Sequence, residues 1–323
     1  MMNVIQPADP TQFFDDMIGA CRPIKRVYRR IDRVARLEVP VLVSGESGTG
    51  KELVAQSIHR RSNRSSGPFI AVNTGAISRD LIASELFGHE RGAFTGAEDR
   101  KKGYFERAAG GTLFLDEITT MDSKTQISLL RVLEAKELRR VGGRDLIRTD
   151  VRVIAATNQD LQKCIQNGTF REDLYHRLNV FNIKLPPLRK RKDDIPVLVS
   201  HFAKVYADKF GKKVLEIDPE AMTLLTTYSW PGNVRELENV IANSMVMVQT
   251  GSLMSTHLPS DFRNPSTSRG KLTLEMGLTL EEVEQKYIIT TLESLNGNKT
   301  LAADSLGISR KTLYNKLTQI DSS

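Results

Sequence analysis

Apolar residues at Ile24, Val27, Tyr28, Ile31, Val34 and Ala35 recur with a period near 3.6, which predicts an amphipathic helix beginning at Ile24. The other face of that helix carries Arg22, Lys25, Arg26, Arg29, Arg30, Arg33 and Arg36. A charge run of this kind is ordinarily a solvated face; a phosphate or subunit contact is the alternative. Short apolar runs follow at 40–44, 68–72, 112–115, 151–156 and 180–185, alternating with longer helical stretches. That alternation predicts a parallel sheet covered by helices. After Pro186-Pro187 the pattern changes, and residues 188–262 hold no clear strand and read as a helical subdomain. The reading divides the chain into a loose leader (1–16), an α/β subdomain (17–187), the helical subdomain (188–262), a linker (263–275) and a helical end (276–323). The linker rests on Asn264-Pro265-Ser266-Thr267-Ser268-Arg269-Gly270.

At 323 residues the chain is long enough for two or three domains. Its 40% hydrophobic and 26% charged residues are those of an ordinary globular protein. No apolar run approaches the roughly 18 residues of a membrane span. The first residues lack a basic-then-apolar signal and include Asp15 and Asp16, so a cytoplasmic location is expected. Cys21 and Cys164 lie far apart without nearby histidine clusters and read as unpaired thiols. A net charge of +7 permits nucleic-acid binding without requiring it.

Gly45-Glu46-Ser47-Gly48-Thr49-Gly50-Lys51 lies between the 40–44 run and a helix expected near Glu52. This is the setting of a P-loop, in which backbone N–H groups curl round phosphates and Lys51 reaches the terminal ones. Where Ser or Thr ordinarily follows the lysine, this chain has Glu52. Mg²⁺ would then depend on Thr49, Asp116 and water, or on an unusual part for Glu52. Leu113-Phe114-Leu115-Asp116-Glu117 is an apolar run ending in two carboxylates: Asp116 to hold Mg²⁺, Glu117 to polarise the attacking water. Asn73 is expected to hold Glu117 until a ligand releases it. Asn158, closing the 151–156 run, is a candidate γ-phosphate sensor. Arg171 and Arg177 lie six residues apart and cannot serve one phosphate equally; one could cross a subunit boundary while the other fixes the interface or a ribose, and plain surface charge is the alternative. Trp230-Pro231-Gly232-Asn233 opens a helix, with Asn233 the expected N-cap, Glu236 completing a capping box, and Val234, Leu237, Ile241 and Met245 apolar. Arg235 is then free to report nucleotide to the lid.

Gly92-Ala93-Phe94-Thr95-Gly96-Ala97 falls between the two halves of this site. Two glycines free the backbone, Phe94 supplies apolar area, and Thr95 supplies a hydroxyl at the apex. It reads as a tip that nucleotide turnover moves against a partner; a packed hairpin is the plain alternative. At the far end, 279–295 reads as a helix with Leu280, Val283, Tyr287, Ile288 and Leu292 inward, followed by a short helix from Thr300 to Leu306. Gly307-Ile308-Ser309 is then a turn and Arg310 to Gln319 a third helix, with Leu313 and Leu317 buried. This is helix-turn-helix spacing. Arg310, Thr312 and Asn315 are candidates for base edges, and Lys299, Lys311 and Lys316 for phosphates.

Together these residues resemble the bacterial enhancer-binding proteins, AAA+ ATPases that activate transcription by the sigma-54 form of RNA polymerase. The resemblance runs from residue 18 to 319 and includes the P-loop ending in Glu52, the 92–97 signature and a Fis-type string at 302–317. It implies an AAA+ α/β fold with a helical lid, ATP and Mg²⁺ as cofactors, and a ring, usually a hexamer. It also implies that Phe94 and Thr95 touch sigma-54, that Arg171 and Arg177 act on a neighbour's ATP, that Arg235 is the second sensor, and that the C-terminal helices hold upstream enhancer DNA. Fewer than twenty residues precede the ATPase region, as in members without a receiver domain, which implies control by expression level or a separate regulatory protein. A remodelling ATPase of the chaperone kind would share the nucleotide site but not need the helix-turn-helix. A repressor with a vestigial ATPase would show no turnover.

Overall fold

In the computed structural model, which describes residues 3–4, 13–248, 251–263, 278–295 and 297–320, the apolar runs form one five-stranded parallel sheet. Its strands are β1 (Val41–Ser44), β2 (Phe69–Asn73), β3 (Thr112–Asp116), β4 (Arg152–Thr157) and β5 (Phe181–Lys184). Their spatial order is β5-β1-β4-β3-β2. Ser44 is in register with Thr157 and Lys184, and Asn73 with Asp116, so the carboxyl ends share one edge. In an open α/β sheet that edge is where ligands bind.

Both faces of the sheet are buried, which is why its strands read as continuous apolar runs. Val41 and Val43 of β1, Phe114 of β3, and Ile154 and Ala156 of β4 pack with α1 (Arg22–Ala35) and α2 (Lys51–Arg60). Leu42, Leu113, Leu115, Val153 and Ala155 face the other way, onto α3 (Arg79–Phe87), α4 (Ser123–Ala135) and α5 (Glu172–Leu178). Helix α1 buries Ile24, Val27, Tyr28, Ile31, Val34 and Ala35, the face its periodicity marks. Its C-terminal carbonyls are met by the buried Arg152, which donates to Val34 O at 2.8 Å and also to Ala35 O.

The lid consists of α6 (Ile195–Phe210), α7 (Pro219–Thr227) and α8 (Asn233–Met247). Contrary to the strand-free reading of 188–262, Val214–Ile217 and Gly251–Leu253 pair in parallel there. Runs of three or four residues are too short for the period-2 signal to rise above their helical surroundings. Strands also form among the described residues of the expected leader. Asn3–Val4 pairs antiparallel with the lid strand, and Phe13–Phe14 pairs with Met17–Ile18 around a turn at Asp15. Phe14 stacks on Tyr28 at 4.5 Å and lies under the guanidinium of Arg61. Residues 264–275 of the expected linker lie outside the described residues.

The chain divides into two units, Met1–Leu258 and Pro259–Ser323. The second holds α9 (Leu280–Ser294), α10 (Lys299–Leu306) and α11 (Arg310–Ile320) around Ile288, Ala302, Ala303 and Leu313. Asn298 caps α10 and the Ser309 hydroxyl accepts from Thr312 N at 3.1 Å to start α11. Leu280 and Tyr287 point outward, at 89% and 50% exposure, so α9 buries a narrower stripe than expected.

Ile31 is fully buried at the centre of the α1 contact. Ile31→Ala is expected to lower the free energy of unfolding by about 2–5 kcal/mol, measured by urea denaturation with the slope unchanged.

Candidate functional site

The loop between β1 and α2 is shaped by two left-handed glycines, Gly48 (φ +74°) and Gly50 (φ +98°). An added Cβ at Gly48 would lie 2.2 Å from Gly232 O, so no other residue fits there. Lys51 opens α2, is buried, and donates to Gly45 O (3.1 Å) and Glu46 O (3.3 Å) across the loop. Burial lowers its pKa, against which the charges of Asp116 and Glu117 act. An anion in the loop would favour the charged ammonium. The Thr49 hydroxyl donates to Glu46 O at 2.7 Å, which commits its proton inside the loop and leaves the oxygen lone pairs free to face a cation. Glu52 is exposed and accepts from Gln56 one turn on.

Asp116 ends β3, and its Oδ1 accepts from Glu117 N at 2.9 Å. Glu117 itself is left-handed (φ +59°), a costly conformation for a side chain. Two hydroxyls hold it there: Thr74 Oγ1 and Thr120 Oγ1 each donate to Glu117 O at 2.9 Å. The expected Asn73–Glu117 hydrogen bond is replaced by an indirect contact. Asn73 Oδ1 accepts from Gly75 N at 2.8 Å, and the Glu117 carboxylate lies over Gly75, where a Cβ would sit 2.1 Å from Oε2. Asn158 is exposed and lines a cleft of about 340 Å³ with Ser44, Gly45, Glu46 and Tyr175.

The lid grips the P-loop from the other side. Gly48 O accepts from Val234 N (3.0 Å) and Arg235 N (3.3 Å), so the start of α8 sits on the loop. Asn233 is no N-cap; its φ is +54°, it is fully buried, and it bridges the two parts. Its Oδ1 accepts from Leu188 N at 2.8 Å, and its Nδ2 donates to Ser47 O at 3.0 Å. Nor does Glu236 complete a capping box with Asn233; Glu236 accepts from Gly232 N at 2.8 Å, while Asn233 N donates to Trp230 O. Glu46 is clasped by Arg189 at 2.6 Å, which holds its carboxyl below the ordinary range. The buried Arg191 reaches Thr49 O at 3.4 Å. Arg235 is exposed beside the loop and close enough to act on the charge of Lys51. Asn233, Arg189 and Arg191 were not legible as site residues: each is an ordinary side chain whose partner on the phosphate loop lies more than a hundred positions away.

The 92–97 loop is inserted between β2 and β3, the strands that end in Asn73 and in Asp116. Gly92 N donates to Ala97 O at 2.8 Å and Ala97 N to Phe94 O at 3.0 Å, closing a tight turn. Thr95 is exposed, Phe94 is 37% exposed, and Ala97 is buried. The Phe94 ring meets His89 edge-on at 5.1 Å, and His89 Nδ1 is 2.7 Å from Ser84 Oγ. At the base, the buried Arg140 pairs with Glu90 (2.8 Å) and Glu106 (2.5 Å). Burial alone would raise the Glu106 pKa, but the bonds from Arg140 outweigh it and the carboxyl titrates low.

Arg171 precedes α5, is exposed, and pairs with Asp173 at 2.7 Å. Arg177, in the last turn, donates to Leu133 O at 3.0 Å. In the second unit Arg310, Lys311, Thr312, Asn315 and Lys299 are exposed, with Lys299 over the Tyr314 ring. Lys316 is tied to Glu284 at 2.8 Å.

Comparison with known proteins matches residues 17–184 to the Sigma-54 interaction domain, 189–274 to the AAA+ ATPase lid domain, and 279–319 to the Fis family of bacterial regulatory proteins. The regulatory protein AtoC of Escherichia coli strain K12 is 48% identical over 293 residues, covering 89% of this chain and 64% of AtoC. The transcriptional regulator NtrC of Rhizobium meliloti strain 1021 is 43% identical over 349 residues, covering 96% of this chain and 72% of NtrC. This chain therefore spans somewhat under two thirds of AtoC. The crystal structure of NtrX from Brucella abortus in complex with ATP has a TM-score of 0.71 at 35% identity, over 95% of this chain and 70% of NtrX. Among the described residues no helix is long and apolar enough to cross a membrane.

Asn233→Ala removes the bridge, leaves Leu188 N unpaired in the interior, and keeps an unfavourable positive φ. It is expected to cost about 2–4 kcal/mol of stability. Nucleotide affinity, read by titration with a fluorescent ATP analogue, should fall at least about tenfold, since the loop then lacks its support.

Proposed function

The chain belongs to the AAA+ proteins with a sigma-54 interaction domain and a Fis-type DNA-binding end, and from this we infer that it hydrolyses ATP to remodel sigma-54 RNA polymerase at a promoter while bound to upstream DNA. One observation carries the reading. The Phe94–Thr95 tip is inserted between the two strands whose ends hold Asn73 and the Asp116–Glu117 pair, so a shift at the carboxylates is transmitted to the tip through α3. Glu117 over Gly75 is the contact point, because Gly75 lies between β2 and α3.

In this reading the P-loop N–H groups and Lys51 bind the phosphates, and Arg235 reports them to the lid. Asp116 would hold Mg²⁺, with which the nucleotide's phosphate charge is neutralised. Glu117 orients and polarises the attacking water, and Asn158 contacts the γ-phosphate. Arg171 and Arg177 serve the site of a neighbouring copy in a ring, for which their exposure at the two ends of α5 leaves room. Phe94 and Thr95 touch sigma-54. Arg310, Thr312 and Asn315 face base edges, while Lys299, Lys311 and Lys316 face phosphates. Lys316 would have to leave Glu284, so its contribution should be the smallest of the three.

Four substitutions test the assignment. Lys51→Ala should abolish ATP binding. Glu117→Ala should bind ATP normally and hydrolyse it at least about a hundredfold more slowly. Thr95→Ala should keep hydrolysis and lose activation in a reconstituted sigma-54 transcription assay; full activation by this variant would refute the tip's role. Arg171→Ala should lose turnover at any concentration, whereas the unaltered chain should gain specific activity as its concentration rises and copies assemble.

A further inference from the structure

The basic face of α1 is unused by the mechanism above, and its local chemistry is unfavourable. Arg22, Lys25, Arg26, Arg29, Arg33 and Arg36 are all exposed. Among the described residues none of them forms an ion pair; Arg29 makes only a long contact to Lys25 O. Nearby arginines behave differently. Arg60 pairs with Asp16, Arg61 with Asp15 and Asp32, and Arg64 with Glu38 and Asp150. Asp32, the acid within α1, is therefore turned to Arg61 and away from the stripe.

Two features of this face oppose the helix that carries it. Like charges at i, i+3 and i, i+4 (22–25, 22–26, 25–29, 26–29, 29–33 and 33–36) each destabilise by about 0.2–0.5 kcal/mol. The first turn has no acid and begins with Arg22, Lys25 and Arg26, against the positive end of the helix dipole. Of the arginines on this side, Arg30 alone finds a fixed place, on Asn182 O and the Phe181 ring. A polyanion laid along the face would relieve the repulsion and suit the dipole.

The stripe is straight and spans roughly 21 Å at 1.5 Å per residue. That is about six nucleotides along one DNA strand. At its C-terminal end it meets a concavity of about 600 Å³ lined by Arg36, Arg60, Arg61 and Asn63, with Asp32 in its wall. We propose that this face of α1 is a second contact for the DNA backbone, sequence-independent and separate from the helix-turn-helix. Duplex DNA fits better than an acidic protein because its charges form a regular line of matching length. It is also the one polyanion to which the C-terminal unit, on the reading above, already tethers the chain.

The full-length chain is titrated with a labelled duplex of about 60 base pairs of arbitrary sequence across a salt series. Arg26→Gln/Arg29→Gln/Arg33→Gln should reduce the slope of log affinity against log salt by about 2 to 3, while the corresponding triple Lys variant keeps the slope. The Gln variant should melt no lower than the unaltered chain, because it removes repulsion. Arg310→Ala in both backgrounds separates the two surfaces: it tests the helix-turn-helix, and the slope difference between the backgrounds should persist. An unchanged slope in the Gln variant overturns the proposal. So does a variant that loses self-assembly with DNA binding intact, which would make the face a contact for an acidic protein surface.

Discussion

A Cβ placed on Gly48 would lie 2.2 Å from Gly232 O and 3.1 Å from Arg235 Cβ. That closeness joins the phosphate loop to the lid with almost no intervening side chain. Two N–H groups of α8 bond to Gly48 O, Asn233 reaches Ser47 O, and Arg189 holds Glu46. The loop's conformation is therefore set from both sides, by β1 and α2 in the α/β layer and by α8 in the lid. An added methyl at position 48 would push α8 outward and take Arg235 with it. Loop and lid are joined through the same few atoms, so a shift of one is felt by the other.

The insertion between β2 and β3 follows a second constraint. In a parallel sheet consecutive strands must be joined by a long crossover. Here that crossover holds α3, the 92–97 loop and a short helix at 104–107; it leaves β2 at Asn73 and enters β3 at Thr112, at the sheet edge opposite Asp116. The carboxylate pair follows at the far end of β3 and meets the start of the crossover through space, with Glu117 over Gly75. The strained Glu117, whose carbonyl accepts from Thr74 and Thr120, touches that crossover where it leaves β2.

Much of this was legible in advance because it depends on local pattern. The five strands are continuous apolar runs, since both faces are covered, and the observed bounds differ from those runs by a residue or so at each end. The buried face of α1 follows from periodicity alone. What escaped was long-range or short. Asn233 looks like an N-cap by position, yet a positive φ and a bridge to Leu188 and Ser47 decide its role. The lid strands at Val214–Ile217 and Gly251–Leu253 are too brief to announce themselves. Asn73 was matched to the right neighbourhood but the wrong atom, because the register puts it beside Asp116 while Gly75 intervenes before Glu117. Leu280 and Tyr287 were placed inward on α9 because apolar spacing says which residues share a face, but not how wide a stripe two short helices can cover.

The two ends of the 92–97 loop differ greatly in how firmly they are held. At the base, Arg140 is 6% exposed and joins Glu90 and Glu106; removing one member of such a buried pair costs about 3–5 kcal/mol. At the tip, Phe94 rests edge-on against His89, a contact worth about 0.5–1.5 kcal/mol beyond its buried area. A factor of ten in population corresponds to about 1.4 kcal/mol, so on the proposed reading the tip is the end that a change at the nucleotide site would move first, with the base intact. The hinge of the proposed movement then falls between clamp and ring. Gly92 and Gly96 stand there with positive φ and nothing within 4 Å of an added Cβ. Open space and backbone freedom at both positions let the tip swing without disturbing the sheet, which is what a reusable lever on a rigid ATPase requires.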